Sequence, residues 1–368
     1  MAESSLRSRG FALWVRVAPV VGLIVPICLG VLLAQAFAPP SIKRVVVTTL
    51  LNVILVVGFY VFSGNSGVIS FGHIGFTAIG AYVVGLLTIP PLMKQVILPD
   101  LPSAVAHLSL PSITAMLVGC VVVAAFAAAI GYPIVRLKGV GPGIATLAML
   151  EIIHVVLANW KAVTGGDSTL VGIRIDTTLP VITAWTVVVL ICAYAYQTSR
   201  SGRRLKASRE DFEAARSVGI QVSLERYKAL ILSAAIMALG GGLYGHYLGS
   251  LSPRTLYLAL GFLGVLMAVV GGINSLSGAV TGAVVVSALT EALRRFADGF
   301  SIGALEVRSV AGVQEVVLAI LLLVILVRMP AGLTGGREIN LSFLSRIRGR
   351  RGPRAPDPGT VEQRVETT

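Results

Sequence analysis

The sequence is poor in charged residues, and this scarcity excludes an ordinary soluble protein. Only 13% of the 368 residues are Asp, Glu, Lys or Arg, whereas 55% are hydrophobic and the mean hydropathy is +0.86. A soluble core cannot absorb so much apolar surface, so most of it must face lipid or other membrane helices. The composition therefore predicts an integral membrane protein.

Cysteine and the motifs of covalent or nucleotide chemistry are also scarce. Cys28, Cys120 and Cys192 are odd in number and lie in apolar runs, which argues against a disulfide framework. The chain has no Gly-Lys dipeptide, and hence no Walker A phosphate loop, and no Cys and His spacing typical of zinc. We therefore predict no catalytic residue, no metal site and no cofactor bound by this chain. Any ATP hydrolysis linked to it would take place on another polypeptide.

What the sequence does contain is a series of long apolar runs. Most of them approach the roughly 20 residues that a helical membrane span needs. They predict an all-α integral membrane protein with about ten transmembrane helices, and dense glycine in 67–89 and 255–293 favours broken or re-entrant segments there. The predicted spans are 12–38, 44–62, 67–89, 111–135, 140–159, 178–197, 229–250, 255–272, 277–293 and 313–328.

The charges that are present are mainly basic and collect in the loops. The formal net charge is +13, and a cytoplasmic N-terminus followed by ten spans places 21 of the 30 Lys and Arg residues on the cytoplasmic side. Both termini and the loop 198–228 are therefore predicted to be cytoplasmic. The basic residues do not alternate with exposed aromatic ones, so we expect no nucleic-acid partner. The chain divides into a cytoplasmic segment 1–10, a transmembrane domain 11–330 and a basic tail 331–368 whose composition is typical of disorder.

The first apolar run admits a second interpretation. Ala34-x-Ala36 follows an apolar stretch with basic residues ahead of it, as in a secretory signal peptide. The stretch 17–38 is too long for the hydrophobic region of such a peptide. A retained membrane anchor is therefore the favoured interpretation.

A polar island at 207–228 interrupts the later apolar runs. Ser208 is a good N-cap, and Asp211 lies three residues later, as in a capping box. Gly219 supplies the left-handed position that ends a helix. These signals predict a helix from about Arg209 to Val218.

The predicted helix carries the pattern Glu213-Ala214-Ala215-x-x-x-Gly219. Phe212 and Ala215 lie on one face with Ala214 beside them, and the alanines are small enough for another protein surface to come close. A helix this short is marginal alone, so we expect it to rest on the membrane domain, on a partner or on both. An ordinary amphipathic surface helix is the alternative.

A glycine-rich, polar stretch at 64–76 falls at the edge of a predicted span. Ser70, Gly72 and His73 lie within it, and a lipid-facing helix would avoid this mixture. Broken helices of this kind expose polar groups to solutes in transporters, so these three residues are candidates for a translocation path. Tight helix packing through small residues is the alternative. A weaker form of this glycine-rich, polar pattern occurs at 271–278.

The acidic residue Glu151 lies well inside a predicted span, whereas Glu291 and Glu315 lie near span ends, and His154 follows Glu151 one turn later on the same helix face. Ionisable residues in a membrane are costly and are functional candidates by default. Glu151 is therefore a further candidate for the path. The alternative is that Glu151 and His154 satisfy each other or a neighbouring helix.

Several motifs together resemble the branched-chain amino acid ABC-transporter permeases, and among these the LivM-like subgroup. They follow the family's order over roughly residues 40–330. The longer form of the family's coupling motif ends in Ile-x-Leu-Pro, whereas no proline occurs in 229–233 here. The motifs are Ser70-Phe71-Gly72-His73 through Phe76 to Gly80-Ala81-Tyr82, Arg136-Leu137-Lys138-Gly139, Thr146-Leu147-Ala148 with Glu151-Ile152, Asn159-Trp160 with Thr164-Gly165-Gly166, Ser201-Gly202-Arg203 with Glu213-Ala214-Ala215 and Gly219, Gly240 to Tyr247 with Ser252-Pro253, and Val270-Gly271-Gly272.

The resemblance implies a permease of a multi-pass importer in a bacterial inner membrane, with the fold of that group. It implies a second homologous permease subunit, two cytoplasmic ATPase subunits that bind ATP and Mg²⁺, and an extracytoplasmic solute-binding protein. Glu213, Ala214, Ala215 and Gly219 would form the ATPase-coupling segment, and the regions of Ser70 to His73 and of Glu151 the translocation path. Branched-chain amino acids, urea, short amides and other amino acids remain open as substrates. A stand-alone secondary transporter or channel is the competing class.

Overall fold

The computed structural model describes residues 2–137, 139–297, 301–302, 305–306, 313–329, 331–336 and 338. The chain forms two compact units: Met1–Gly22 with Ile339–Thr368, and Leu23–Glu338. In the first unit, residues 2–22 are helical. From residue 339 onward, the basic tail that we expect to be disordered lies outside the described residues. The second unit extends to Glu338, past the boundary predicted at residue 330.

Helices dominate the described residues, which confirms the all-α class. The strands are β1 (Leu170–Val171), β2 (Ser250–Leu251), β3 (Ser301–Ile302) and β4 (Leu305–Glu306), and β1 pairs antiparallel with β2 and β3 with β4. The helices are α1 (Ala2–Phe37), α2 (Pro40–Ser66), α3 (His73–Thr88), α4 (Pro91–Ile97), α5 (Ser103–Ala106), α6 (Ser112–Val135), α7 (Gly141–Asn159), α8 (Lys161–Thr164), α9 (Leu179–Thr198), α10 (Arg200–Glu210), α11 (Phe212–Ser217), α12 (Val222–Leu248), α13 (Leu258–Gly271), α14 (Leu276–Ala297) and α15 (Val313–Arg328).

Each of the ten predicted spans coincides with a helix. Helices α3 and α4 are bent by 118° relative to each other. Counted as one span, they add an eighth to the seven helical segments given at the end of this paragraph. Helices α13 and α15 have only 14 and 16 residues. About ten membrane helices is therefore consistent with the structure. Seven helical segments in the described part are long and apolar enough to cross a membrane: Ala18–Phe37, Pro40–Ser66, Ser112–Val135, Gly141–Asn159, Leu179–Thr198, Val222–Leu248 and Leu276–Arg295.

Proline and glycine set several helix ends. Pro40 and Pro180 lie in the first turns of α2 and α9, where a fixed φ favours the helix and no backbone donor is lost. Gly67 and Gly249 follow α2 and α12 with φ of 71° and 70°, a left-handed conformation in which glycine is favoured. These local signals explain where α2 and α9 begin and where α2 and α12 end.

Helices α2 and α12 form the centre of the bundle. In the most apolar 18-residue stretch of each helix, 72% of the residues are buried in α2 and 78% in α12, compared with 28% in α6 and 33% in α7. Helix α12 approaches α3 through glycine: a Cβ placed on Gly241 would lie 2.0 Å from the Thr77 carbonyl oxygen, and one on Gly80 would lie 2.4 Å from the Cα of Ala238. The α3–α12 contact therefore depends on the absence of side chains.

The two ends of the bundle differ in construction. We call the end that carries α10, α11, residues 331–336 and Glu338 the basic end. At the other end, the β1–β2 pair joins Leu170 to Leu251, and Arg254 forms an ion pair with Asp167 at 2.6 Å. That end is thus held together by contacts between distant parts of the chain.

At the basic end, the residues after α15 pack onto the turn between α13 and α14. The Leu333 amide donates to the Val270 carbonyl at 2.8 Å, and the Thr334 hydroxyl donates to the Gly271 carbonyl at 2.8 Å. The Glu338 carboxylate accepts hydrogen bonds from the amides of Leu276 and Ser277 at 2.9 and 3.2 Å. A carboxylate is favourable there because the first amides of a helix lack partners and carry partial positive charge.

Candidate functional site

The chain leaves the helical conformation at two glycine-rich breaks. The first break, residues 67–72, separates α2 from α3, and the second break, residues 272–275, separates α13 from α14. Gly67 and Gly272 have φ values of 71° and 111°, which side chains disfavour. The prediction of broken glycine-rich helices is thus confirmed, and the two similar sequence stretches both form breaks.

Ser70 and His73 meet at the end of the first break. The His73 Nδ1 and Ser70 Oγ atoms are 2.6 Å apart, and both residues are buried. The His73 Nε2 has no hydrogen-bond partner among the described residues. The rings of Phe59, Phe62 and Phe76 surround the imidazole at centroid distances of 5.6, 5.2 and 5.7 Å. One imidazole nitrogen is therefore buried without a partner, a costly arrangement that invites a functional explanation.

Gly72 allows α7 to approach this site closely. A Cβ on Gly72 would lie 2.2 Å from the carbonyl oxygen of Thr146, which belongs to α7. The Thr146 hydroxyl also accepts a hydrogen bond from the Phe71 amide at 3.3 Å. The structure thus brings Ser70, Gly72 and His73 together at one place, held by α7.

A small cavity lies beside Ser70 and His73. Its volume is about 20 Å³, and Gly261 and Gly264 of α13 form part of its wall. A cavity of this size holds roughly one water molecule. A solute larger than water could enter only if elements of the cavity wall, which include α13 and the first break, moved apart. The assignment of Ser70, Gly72 and His73 to a translocation path therefore stays a prediction.

Glu151 occupies a different environment from Ser70 and His73. Its carboxylate is exposed and accepts a hydrogen bond from the Tyr257 hydroxyl, just before α13. The His154 ring stacks on the Tyr257 ring with a centroid distance of 3.8 Å. Glu151 and His154 thus both contact one tyrosine just before a neighbouring helix, and the assignment of Glu151 to the translocation path stays a prediction. Sequence reasoning missed Tyr257 because nothing local links it to residues about a hundred positions earlier.

The predicted helix from Arg209 to Val218 is wrong in its start and length. Helix α10 extends through Glu210 and begins after Ser199, whose hydroxyl accepts a hydrogen bond from the Gly202 amide at 3.1 Å. Ser208 is buried in the last turn of α10 and donates to the Leu205 carbonyl, so it caps nothing. The chain breaks at Asp211, with φ of −146°, and α11 follows as a six-residue helix.

Asp211 causes this break because it is itself the N-cap of α11. Its carboxylate accepts a hydrogen bond from the Ala214 amide at 2.9 Å. Aspartate competes with the helical backbone for such bonds and favours a cap over a helix interior. The left-handed position predicted for Gly219 is observed, with φ of 83°.

The alanines of α11 face different surroundings. Glu213 and Ala214 are exposed, and the Glu213 carboxylate lies 3.9 Å from the Arg216 guanidinium. Ala215 is only 5% exposed, so its side chain faces the interior of this chain. The surface that α11 offers to another protein therefore includes Glu213 and Ala214 but not Ala215.

Arg209 is a residue that sequence reasoning passed over. Its Nη1 donates to the Gly64 carbonyl in the last turn of α2 at 2.7 Å and to the Asn274 Oδ1 in the second break at 3.2 Å. In α10, burial lowers the pKa of neighbouring Lys206, an effect opposed by the Glu338 carboxylate and reinforced by Arg209. Several arginines occur in α10, and no sequence signal singles out Arg209.

Comparison with known proteins agrees with this architecture. Residues 53–329, about three quarters of the chain, match the family described as "Branched-chain amino acid transport system / permease component". No solved structure matches the chain.

Curated relatives include LivM and LivH, both named permease proteins of high-affinity branched-chain amino acid transport systems. LivM of Salmonella typhimurium is 27% identical over 282 residues, which cover 67% of this chain and 62% of the relative. LivM of Escherichia coli K12 is 26% identical with the same coverage, and LivH of E. coli K12 is 30% identical over 38% of this chain and 42% of the relative. The chain thus spans less than two thirds of the LivM relatives. With a family match over most of its length and an almost entirely helical membrane fold, the chain belongs to the permease family of branched-chain amino acid transport systems.

Proposed function

We propose that this chain is a membrane-spanning permease subunit of an ATP-driven importer for branched-chain amino acids or related small polar solutes. The observation that carries the proposal is α11. This six-residue helix is capped by Asp211, ends before the left-handed Gly219, and exposes Glu213 and Ala214 at the basic end of the bundle. A short, capped helix with a small exposed side chain suits insertion into a cleft of another protein.

The proposed assembly has four kinds of component. A second homologous permease subunit is supported by the similarity to both LivM and LivH, two permease proteins named for the same kind of system. Two cytoplasmic ATPase subunits would bind ATP and Mg²⁺ and contact the segment 207–219 through the exposed residues of α11. An extracytoplasmic binding protein would deliver the solute and supply most of the selectivity. Lipid of a bacterial inner membrane would surround the bundle.

Purification and transport assays test the proposal. The tagged chain, isolated in mild detergent from the cells that make it, should carry a second permease and two ATPase polypeptides. Reconstituted vesicles should take up labelled leucine only with binding protein present and with ATP and Mg²⁺ on the ATPase side, and unlabelled valine, urea and amides would compete according to the true substrate. Uptake driven by a proton gradient without ATP would instead identify a secondary transporter.

The sidedness of the chain is a separate prediction. Single cysteines at Ser217 in α11 and at Thr169 at the opposite end, both exposed, would be introduced after the three native cysteines are replaced. We expect a membrane-impermeant thiol reagent to label Thr169→Cys but not Ser217→Cys in intact cells, because basic loops remain cytoplasmic. Both should react after lysis. Labelling with the opposite pattern would reverse the topology. Ser208 is unsuitable as a reporter because it is buried.

For His73, the path and packing interpretations predict different results. His73→Phe keeps an aromatic ring among the neighbouring phenylalanines but removes both nitrogens, whereas His73→Ala leaves a void that costs stability. We expect His73→Phe to assemble normally and to lower uptake about tenfold, equivalent to about 1.4 kcal/mol in the transition state. Wild-type uptake by His73→Phe, with loss of folded His73→Ala, would assign the residue to packing alone.

A further inference from the structure

Arg209 lies where the coupling segment and the two breaks meet. It belongs to the last turn of α10, immediately before the Asp211 cap of α11. Its Nη1 donates to the carbonyl of Gly64, at the end of α2, and to the side chain of Asn274 in the second break. One guanidinium nitrogen thus joins α10 to the last turn of α2 and to the second break.

The remaining guanidinium nitrogens fix its orientation. Nε and Nη2 donate to the Glu210 carboxylate at 3.1 and 2.6 Å, and the Arg209 side chain is only 19% exposed. A planar guanidinium can serve several acceptors in a fixed geometry, whereas a lysine ammonium behaves as a single point of charge. The geometry is therefore specific to arginine.

The backbones around Arg209 approach one another without intervening side chains. A Cβ on Gly67 would lie 2.6 Å from the Arg209 Cγ, and one on Gly64 would lie 2.6 Å from the Ile273 carbonyl oxygen. The Arg209 side chain is therefore closely packed against Gly64, Gly67 and the second break. A shift of α10 would be transmitted to both breaks by direct contact, since close-packed groups cannot absorb it.

Each break continues into an element that lines the cavity. The first break leads from Gly67 to Ser70 and His73, and the second break follows α13, whose Gly261 and Gly264 form another part of the wall. Two of the elements that form the cavity wall, the first break and α13, are thus connected to the residues that Arg209 contacts.

We propose that Arg209 is the positioning residue that transmits movement of α10 and α11 to both breaks and thereby to the cavity between the first break and α13. The inference rests on the proposed function, in which ATP hydrolysis by partner subunits moves the coupling segment. Arg209 takes no part in chemistry and does not touch the solute.

The test compares Arg209→Ala with Arg203→Ala in the complete importer. Arg203 lies on the same helix with an exposed side chain and is the matched control. Arg209→Ala should retain the ATPase subunits and their ATP hydrolysis, because α11 is intact, but should lower solute uptake per ATP about tenfold. Arg209→Lys should give an intermediate loss, and Arg203→Ala none. Wild-type uptake per ATP in both Arg209 variants would overturn the inference, and if Arg209→Ala does not assemble, Arg209→Lys decides alone.

A double-mutant cycle supplies a readout that general destabilisation does not mimic. Asn274→Ala alone should lower uptake per ATP about threefold, and the combined variant should be no worse than Arg209→Ala, because both changes break the same contact. If the losses of the two single variants multiply in the combined variant, the two residues act independently and the inference is overturned.

If the wild-type complex shows no ATP-dependent uptake, the proposed function itself fails. If wild-type uptake depends on ATP and the Arg209 variants take up as much solute per ATP as the wild type, only the inference about Arg209 fails.

Discussion

Ala214→Trp should lower solute uptake by at least about tenfold and release the ATPase subunits from the purified permease. Ala214 is exposed on α11, and its small side chain leaves room for a partner surface to fit closely. Forcing extra volume into a packed contact costs about 1–3 kcal/mol, and a cost above about 1.4 kcal/mol already corresponds to a loss of more than tenfold. The measurements are uptake, ATPase stimulation by loaded binding protein, and the amount of ATPase that co-purifies.

Two further substitutions make this experiment specific. Ala207→Trp introduces the same side chain at an exposed position of α10 and should leave all three measurements near the wild-type level. Gly219→Val should reduce coupling, because a β-branched residue disfavours the observed φ of 83°. Ala215→Trp, the obvious choice from the sequence, is unsuitable since Ala215 is buried within the chain and the variant would disturb the permease itself. If Ala214→Trp leaves solute uptake, ATPase stimulation and ATPase binding unchanged, α11 is only a surface helix and does not contact the ATPase subunits.

The second large effect concerns the fold: Gly241→Ala should prevent the chain from reaching its native packing. The added Cβ would lie 2.0 Å from the Thr77 carbonyl oxygen and 3.0 Å from the Ala81 amide nitrogen, both in the α3 backbone. A backbone atom cannot rotate away as a side chain does, so α3 and α12 would have to separate. We expect a cost at or above the usual 1–3 kcal/mol of overpacking and a clearly lower unfolding temperature in detergent.

Gly30→Ala is the matched control for this prediction. Gly30 is also helical and exposed, and a Cβ there would meet no atom within 4 Å. Alanine favours helices over glycine by about 1 kcal/mol, so the control should be neutral or slightly stabilised. Equal unfolding temperatures and equal monodisperse yields for both variants would contradict the close approach of α3 to α12.

Local sequence signals predicted the membrane helices and one of the turns well. Apolar runs placed a helix in every predicted span, and Gly219 fell in the left-handed conformation expected of it. The same reasoning failed at Ser208 and Asp211, because both are good caps and only the tertiary contacts of α10 decide between them. Ser208 is buried against its own helix, while Asp211 caps α11.

The candidate site was only partly predictable, for a physical reason. Ser70, Gly72 and His73 are close in sequence, so their meeting at the first break follows from one local irregularity. The partners of Glu151 and Arg209 lie far away in sequence: Tyr257 is 106 residues from Glu151, and Gly64 is 145 residues from Arg209. Contacts of this kind depend on how helices pack, which composition and periodicity in a single chain do not specify.

The cap that Glu338 places on α14 sets a limit for protein engineering. Composition alone suggests that the chain can be shortened after Arg328, where the last apolar helix ends. Such a deletion would remove the acceptor for the Leu276 and Ser277 amides and the hydrogen bonds from Leu333 and Thr334 to the α13–α14 turn. A truncated or C-terminally fused version must therefore retain Glu338 with its free carboxylate, so affinity tags and fluorescent reporters belong downstream of it.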